Sequence, residues 1–334
     1  MHLKDAKRAI MRYMRADIPV MMWGAPGIGK TEFLYDLGTE LKRQVIDWRT
    51  NLRDPVDARG LPVADLERNV ARWLRPCDLP FEGSDFPDDS VVFLDEINTA
   101  SPAMQVVAMQ LINERRVGEH RLKKNVYLIG AGNRQSDKAA AQRMPTALAN
   151  RLAHVDVEAN VDIFCDWAYG HNINPMIIAF LRWRPALLHD MTAQNLRAFP
   201  TPRSWERTSR ILDDDDADDS LFLQMITGLV GEGAAAEFIG FVRTYRDLPS
   251  LDLVLSNPTG AKIPADPSAR FAIAVALAHK VTARTFEAAM TYVRRLPGEF
   301  EVLFGIDAVK RDVGLSHTQT FNDFAIRNQE VMIG

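Results

Sequence analysis

Residues 24 to 31 read Gly-Ala-Pro-Gly-Ile-Gly-Lys-Thr, and few octapeptides constrain a fold as tightly. The spacing matches G-x-x-x-x-G-K-[ST], a loop that cradles phosphate. Its glycines let successive backbone N–H groups turn toward an anion. A helix starting near Lys30 points its positive end at the same spot. Lys30 reaches the β/γ-phosphates, and Thr31 offers a hydroxyl to Mg²⁺. Gly24, Ala25, Pro26, Gly27, Ile28, Gly29, Lys30, Thr31 and Glu32 are therefore expected to contact bound ATP. The motif carries this meaning only between a strand and a helix. The apolar run from Ile18 to Trp23 and the helical pattern after Lys30 supply that context. Average composition yields the pattern by chance about once in a hundred chains of this length.

A second signal lies at Val91-Val92-Phe93-Leu94-Asp95-Glu96, four apolar residues and then two carboxylates. A buried strand delivers its terminal acids to the C-terminal edge of a parallel sheet, where ligands of open α/β folds bind. Asp95 is expected to help hold Mg²⁺ with Thr31, and Glu96 to orient and polarise the attacking water. The adjacent glutamate favours hydrolysis over binding alone.

Elsewhere the first half alternates strands with helices, which implies a parallel sheet. An amphipathic helix is expected over residues 3 to 15, with Leu3, Ala6, Ile10 and Tyr13 or Met14 on one face. Val45 to Trp48, Val126 to Ala131 and Ala153 to Val157 read as further strands. Ser101-Pro102 opens a helix to about Glu114, with serine as cap and proline at the first helical position. Pro145 opens a short helix through Leu152. Residues 51 to 90 are irregular, and so long a stretch is expected to be functional or to hold small elements. After about residue 160, helical patterns dominate, at 175–188, 202–212, 220–230, 234–246, 268–280 and 284–296. Residues 213 to 219 form an acidic run, more often a solvated linker than a metal or partner site. Residues 256 to 268 read as a connector.

Composition sets the outer bounds. The 334 residues suffice for two domains. Apolar residues make up 47% and charged residues 25%, as in an ordinary globular protein. A net charge of −4 does not mark the whole molecule as a polyanion binder. The two cysteines, Cys77 and Cys165, have no metal-ligand spacing and suit a reducing compartment. The first eight residues lack the apolar core of a secretion signal. No run approaches a membrane span, so a cytoplasmic location is expected.

Loop, acidic pair and three later segments together resemble the AAA+ ATPases, in particular the MoxR-like group. Leu128-Ile129-Gly130-Ala131-Gly132-Asn133 is similar to the sensor-1 strand, where Asn133 would help position the attacking water. Pro145-Thr146-Ala147-Leu148-Ala149-Asn150-Arg151-Leu152 resembles the segment with the arginine finger, which reaches a neighbouring subunit's γ-phosphate. Arg151 fits that role, with Arg143 and Arg134 as competitors. Thr201-Pro202-Arg203-Ser204-Trp205 looks like sensor 2. A basic residue in a first helical turn opposes the helix dipole, and Arg203 is more easily explained if it faces phosphate. Residues 51 to 90 occupy the place of the insertion that marks the group, and Asp54 to Pro62 resembles a stretch within it. The resemblance covers residues 1 to 212 well and 220 to 334 loosely.

It implies an α/β P-loop core at residues 1–157, an all-helical lid at 158–255 and a helical C-terminal extension at 256–334. It also implies Mg²⁺-dependent ATP hydrolysis in a homo-oligomeric ring, commonly a hexamer. The clients would be proteins, with a von Willebrand factor A domain protein as a possible partner. The basic segment Arg115 to Lys124 stands where relatives carry a hairpin before the sensor strand. Its charge permits nucleic-acid contact, but it contains no aromatic residue for stacking. A nucleic-acid motor is therefore the rival reading, and a nucleotide-gated switch the third. The segment Tyr292 to Phe300 suggests no chemistry.

Overall fold

The computed structural model describes residues 1–137, 143–192, 197–212 and 219–329, which divide into two compact units, Met1–Ala159 and Asn160–Gly334. The acidic run at 213–219 lies outside the described residues, save for the backbone of Asp219.

The first unit opens with helix α1 (Leu3–Arg15), which buries Ala6 and Ile10. Strand β1 (Val20–Trp23) leads through the glycine loop into α2 (Lys30–Leu41), and β2 (Val45–Arg49) follows. The stretch after β2 holds small elements: a 3₁₀ turn at Thr50–Leu52, α3 (Pro55–Arg59), and an antiparallel hairpin of β3 (Leu61–Asp65) and β4 (Val70–Leu74). Then come β5 (Val91–Asp95) and α4 (Pro102–Glu114). Ser101 caps α4 by accepting from the Met104 amide. A two-residue hairpin, β6 (Arg116–Val117) and β7 (His120–Arg121), precedes β8 (Tyr127–Gly132), α5 (Thr146–Ala149) and β9 (Ala153–Asp156).

Five strands form a parallel sheet in the order β2-β5-β8-β1-β9. That order decides where function can sit. All five strands run the same way, so their C-terminal ends share one edge. β8 lies between β5 and β1, so its end falls between the acidic pair and the glycine loop. Glycine makes the approach possible: a Cβ on Gly132 would stand 2.2 Å from Asn98 Oδ1. Beneath this edge Trp48, Val92, Leu94, Met104 and Leu128 pack in one apolar core.

The β3–β4 hairpin turns apolar groups outward. Leu61, Val63, Leu66, Val70 and Leu74 are all exposed. Its other face carries Trp73, beneath the Arg59 guanidinium at 3.9 Å from the ring centroid. The Trp73 amide donates to Glu119, so the hairpin rests on the turn between β6 and β7.

The second unit is helical: α6 (Val161–Gly170), α7 (Pro175–Trp183), α8 (Pro202–Ile211), α9 (Asp219–Val230), α10 (Glu232–Arg246), α11 (Leu251–Ser256), α12 (Pro267–Lys280), α13 (Phe286–Val293), α14 (Gly298–Arg311) and α15 (Gln319–Arg327). α12 packs on both α7 and α14, so the stretches before and after residue 255 share one unit. α6, α11, α14 and α15 are absent from the helical patterns read along the sequence. α14 begins after Pro297 and contains Gly305, where a Cβ would stand 2.5 Å from the Phe324 ring. Packing therefore requires a residue that helix propensity disfavours.

The segment Tyr292 to Phe300 has a structural use. Tyr292 Oη donates to the Lys262 carbonyl at 2.8 Å. Arg295 Nη1 donates to the carbonyls of Pro258 (2.6 Å) and Ala261 (2.8 Å). These contacts clamp the connector after α11 onto α13.

A buried ionic group ties α14 to α6 and α7. Asp307, fully buried, accepts from Arg182 Nη2 at 2.8 Å and from Tyr169 Oη at 2.7 Å. Arg182 also pairs with Asp162. Removing one partner of a buried pair strands the other's charge. Arg182→Ala should therefore destabilise the helical unit by about 3–5 kcal/mol in chemical denaturation.

Candidate active site at the C-terminal edge of the sheet

The loop's shape follows from its glycines. Gly27 and Gly29 have φ of +76° and +93°, a region where side chains with a Cβ are strained. Gly29 is also the residue before the first turn of α2. At Gly24 the constraint is space: a Cβ would stand 2.4 Å from Ile28 Cδ1 and 3.1 Å from the Val157 carbonyl oxygen. The Gly24 amide donates to the Gly132 carbonyl at 3.2 Å, and the loop then leads into the N-terminus of α2.

Lys30 reaches back across this loop. Its ammonium donates to the carbonyls of Gly24 (2.6 Å) and Ala25 (3.1 Å) and to Asn133 Oδ1 (3.0 Å). Asn133 is nearly buried, and its carbonyl accepts from Asn98 Nδ2 at 2.7 Å. Thr31 is half-buried in the first turn of α2, and Glu32 beside it is exposed. Ala25 and Ile28 are buried, and Pro26 is half-buried.

Asp95 ends β5 and Glu96 follows with φ +54°. A left-handed conformation at a non-glycine residue costs about 1–2 kcal/mol, and such strain clusters at functional sites. Here local bonds sustain it. Asp95 Oδ1 accepts from the Glu96 amide at 2.9 Å, and the Glu96 carbonyl accepts from the Thr99 amide at 3.0 Å. The Glu96 carboxylate is held from two sides: Asn51 Nδ2 donates to Oε2 at 2.7 Å and Thr99 Oγ1 donates at 3.0 Å. Thr50 Oγ1 donates to the Asp95 carbonyl at 2.8 Å.

The electrostatics suit a cation. Burial pushes the Asp95 carboxyl above the ordinary carboxylate range, and the charges of Asp47 and Glu96 push the same way. The Glu96 amide and the Lys30 ammonium pull it back in part. Asp47 contributes a buried Oδ1 with no hydrogen-bond partner. A hard divalent ion takes oxygen ligands and would offset the cost of these carboxylates. The residues present therefore fit Mg²⁺, with Thr31 and Asp95 as the groups to hold it.

Lys30, Asn133, Asp95 and Glu96 share the sheet edge. Arg151 follows α5 and is exposed, with Nη1 donating to the Ala147 carbonyl at 2.6 Å. Of its competitors, Arg134 is committed to Asp137 through Nε at 3.2 Å, while Arg143 is exposed. Arg203 lies in the first turn of α8, in the helical unit. That turn carries a capping box in which Thr201 Oγ1 accepts from the Ser204 amide at 3.0 Å and Ser204 Oγ accepts from the Thr201 amide at 2.7 Å. Asn51, Thr99 and Asn98 escaped the sequence reading. Asn98 and Thr99 follow the acidic pair closely and were within reach of it. Asn51 meets Glu96 only because β2 pairs with β5.

The basic segment before β8 has spent much of its charge internally. Arg115 Nη2 donates to the carbonyls of Lys124 (3.2 Å) and Val126, Arg116 pairs with Glu114 (2.8 Å), and Lys123 Nζ donates to the Phe86 carbonyl (2.6 Å) and pairs with Asp88 (3.0 Å). Arg121 and Lys124 are the exposed basic side chains that remain.

Asp95→Asn should raise the thermal midpoint measured without nucleotide, because it removes a carboxylate that burial disfavours. The folded-state pKa lies above the unfolded value, so ionisation costs the folded chain stability as pH rises through that window. The variant's gain should be full above the folded pKa, shrink as pH falls through it, and vanish below the unfolded value. Thermal unfolding across that range checks the sign.

Residues 20–158, from the start of β1 to just past β9, match the model of the ATPase family associated with various cellular activities (AAA). Among solved structures, NtrX from Brucella abortus in complex with ATP is 15% identical, with a TM-score of 0.43 over 99% of this chain and 67% of that one. The Holliday junction branch migration motor RuvB from Thermotoga maritima is 16% identical, with a TM-score of 0.39 over 88% of this chain and 86% of that one. The matched residues hold the five-stranded parallel sheet and the glycine loop, so the first unit has the P-loop AAA fold.

Proposed function

We propose that this chain hydrolyses ATP with Mg²⁺ at a site completed by a second copy, and that it uses the cycle to remodel partner proteins in the manner of MoxR-like ATPases. The observation that carries this reading is the meeting of Lys30 with Asn133 at 3.0 Å, one strand away from Asp95 and Glu96. A phosphate donor, a polar positioning group and two carboxylates then share one edge.

In this reading the loop Gly24–Thr31, through its backbone amides beyond Pro26, and the Lys30 ammonium bind the phosphates of ATP, with Glu32 close by. To reach them, Lys30 gives up its own loop carbonyls. Thr31 and Asp95 would hold Mg²⁺, which would supply positive charge against the transferring phosphoryl group. Glu96 orients and polarises the attacking water, while Asn51 and Thr99 hold its Oε2. Asn133 helps to place that water. Arg151 releases the Ala147 carbonyl and reaches the γ-phosphate on the next copy, where a guanidinium stabilises developing charge. Arg203, from the helical lid at 158–255, takes the sensor-2 role and faces phosphate. The stretch 256–334 extends that lid. The copies assemble as a ring, commonly of six, and a von Willebrand factor A domain protein is a fitting partner.

Two surface observations favour a protein client over nucleic acid. Arg115, Arg116 and Lys123 have internal partners. The neighbouring hairpin exposes aliphatic side chains, an unusual surface for a polyanion and a usual one for a protein contact.

Lys30→Ala should weaken ATP binding at least tenfold in a titration with a fluorescent analogue, since charge-assisted bonds of about 1.5–3 kcal/mol are lost. Arg151→Ala should leave that affinity near wild type and lower steady-state phosphate release by about 10³-fold. Turnover that survives Arg151→Ala contradicts its assignment. Unchanged affinity in Lys30→Ala contradicts the phosphate cradle.

A further inference from the structure

Trp23 is the last residue of β1 and immediately precedes the glycine loop. Its indole Nε1–H donates to His154 Nδ1 at 2.8 Å. The two rings are nearly parallel, 14° apart with centroids at 6.0 Å. His154 lies on β9, in register with Met21. Its other nitrogen, Nε2, stands 2.9 Å from the carbonyl oxygen of Ala149, the last residue of α5. An indole nitrogen can only donate, so His154 Nδ1 accepts and Nε2 carries the ring proton to the carbonyl. One tautomer satisfies both bonds.

The two partners adjoin the two halves of the proposed chemistry. Trp23 is bonded to Gly24, whose carbonyl accepts from Lys30. Ala149 stands two residues before Arg151, and Arg151 itself donates to Ala147 on the same helical turn. The ladder between β1 and β9 pairs Trp23 with Asp156 and does not reach α5. With only four residues, α5 has little stability of its own. It is held from below by the buried side chain of Leu148 and from the side by this imidazole.

We propose that His154 is a positioning residue that ties the phosphate loop to α5, so that occupancy of a subunit's own loop sets the reach of the arginine it lends to its neighbour. This rests on the reading that Arg151 acts in trans. His154 touches neither nucleotide nor water in this scheme. It acts through Trp23 on one side and the Ala149 carbonyl on the other.

A mixing experiment separates action in trans from a local packing role. His154→Ala alone should lower phosphate release per protomer by about tenfold, as small misplacements of reacting groups do, with fluorescent-ATP affinity near wild type. Glu96→Gln copies cannot hydrolyse but carry an intact arm. Added in equal amount, they should raise release per His154→Ala copy severalfold, because sound arms then face sound loops. Trp23→Phe keeps an aromatic ring at this position and removes the donor, and should show the same loss and the same rescue if His154→Ala fails to fold. Wild-type turnover in both variants would overturn the proposal, as would release that merely falls with dilution on mixing. Arg151→Ala mixed with Glu96→Gln is the reference. No rise there overturns the trans arginine and this proposal with it. A rise there with none for His154→Ala overturns this proposal alone.

Discussion

The Lys30 ammonium joins segments that the chain keeps far apart. It draws together two carbonyls of the loop and the side chain of Asn133, 103 residues away. A charged donor among half-buried oxygens makes stronger bonds than a neutral one, so the loop and the end of β8 are fixed to each other. The sheet order makes this possible by seating β8 between β1 and β5. Gly132 completes the approach by leaving room for Asn98, which in turn donates to the Asn133 carbonyl. A backbone bond from the Gly24 amide to the Gly132 carbonyl at 3.2 Å joins the same two segments, and Lys30 adds the side chain of Asn133 to that junction.

The same edge concentrates costs that the rest of the unit sustains. Asp95 is a carboxylate whose charge burial opposes. Glu96 holds a left-handed backbone, and Asp47 buries an oxygen without a partner. Against these stand the Asp95–Glu96 bond, the Thr50 and Asn51 donors from the turn after β2, and an apolar core beneath. In the proposed reading a cation and an anion would each relieve what the other leaves unbalanced.

Much of this was legible along the chain because it is local. The glycine loop, the apolar strand ending in Asp95, and the Ser101-Pro102 helix start each declare themselves within a few residues. The helix from Pro102 to Glu114 was bounded by its cap and by its apolar pattern. What escaped is set by partners distant in sequence. Asn51 gains meaning only beside Glu96, and His154 only beside Trp23. The β3–β4 hairpin escaped for another reason. Nearly all of its residues are exposed, so no alternation of apolar and polar residues marks it. α14 was hidden by the turn-like pair Pro297-Gly298 at its start and by Gly305 inside it, which the Phe324 ring demands.

The most direct measurement is phosphate release per protomer, with Mg²⁺ and ATP, across a wide range of protein concentrations and with sizing at each point. A site completed by a second copy predicts a specific activity that climbs with concentration and levels off as assemblies form. Steady release from copies that sizing shows to be single, or no release at any concentration, would contradict it.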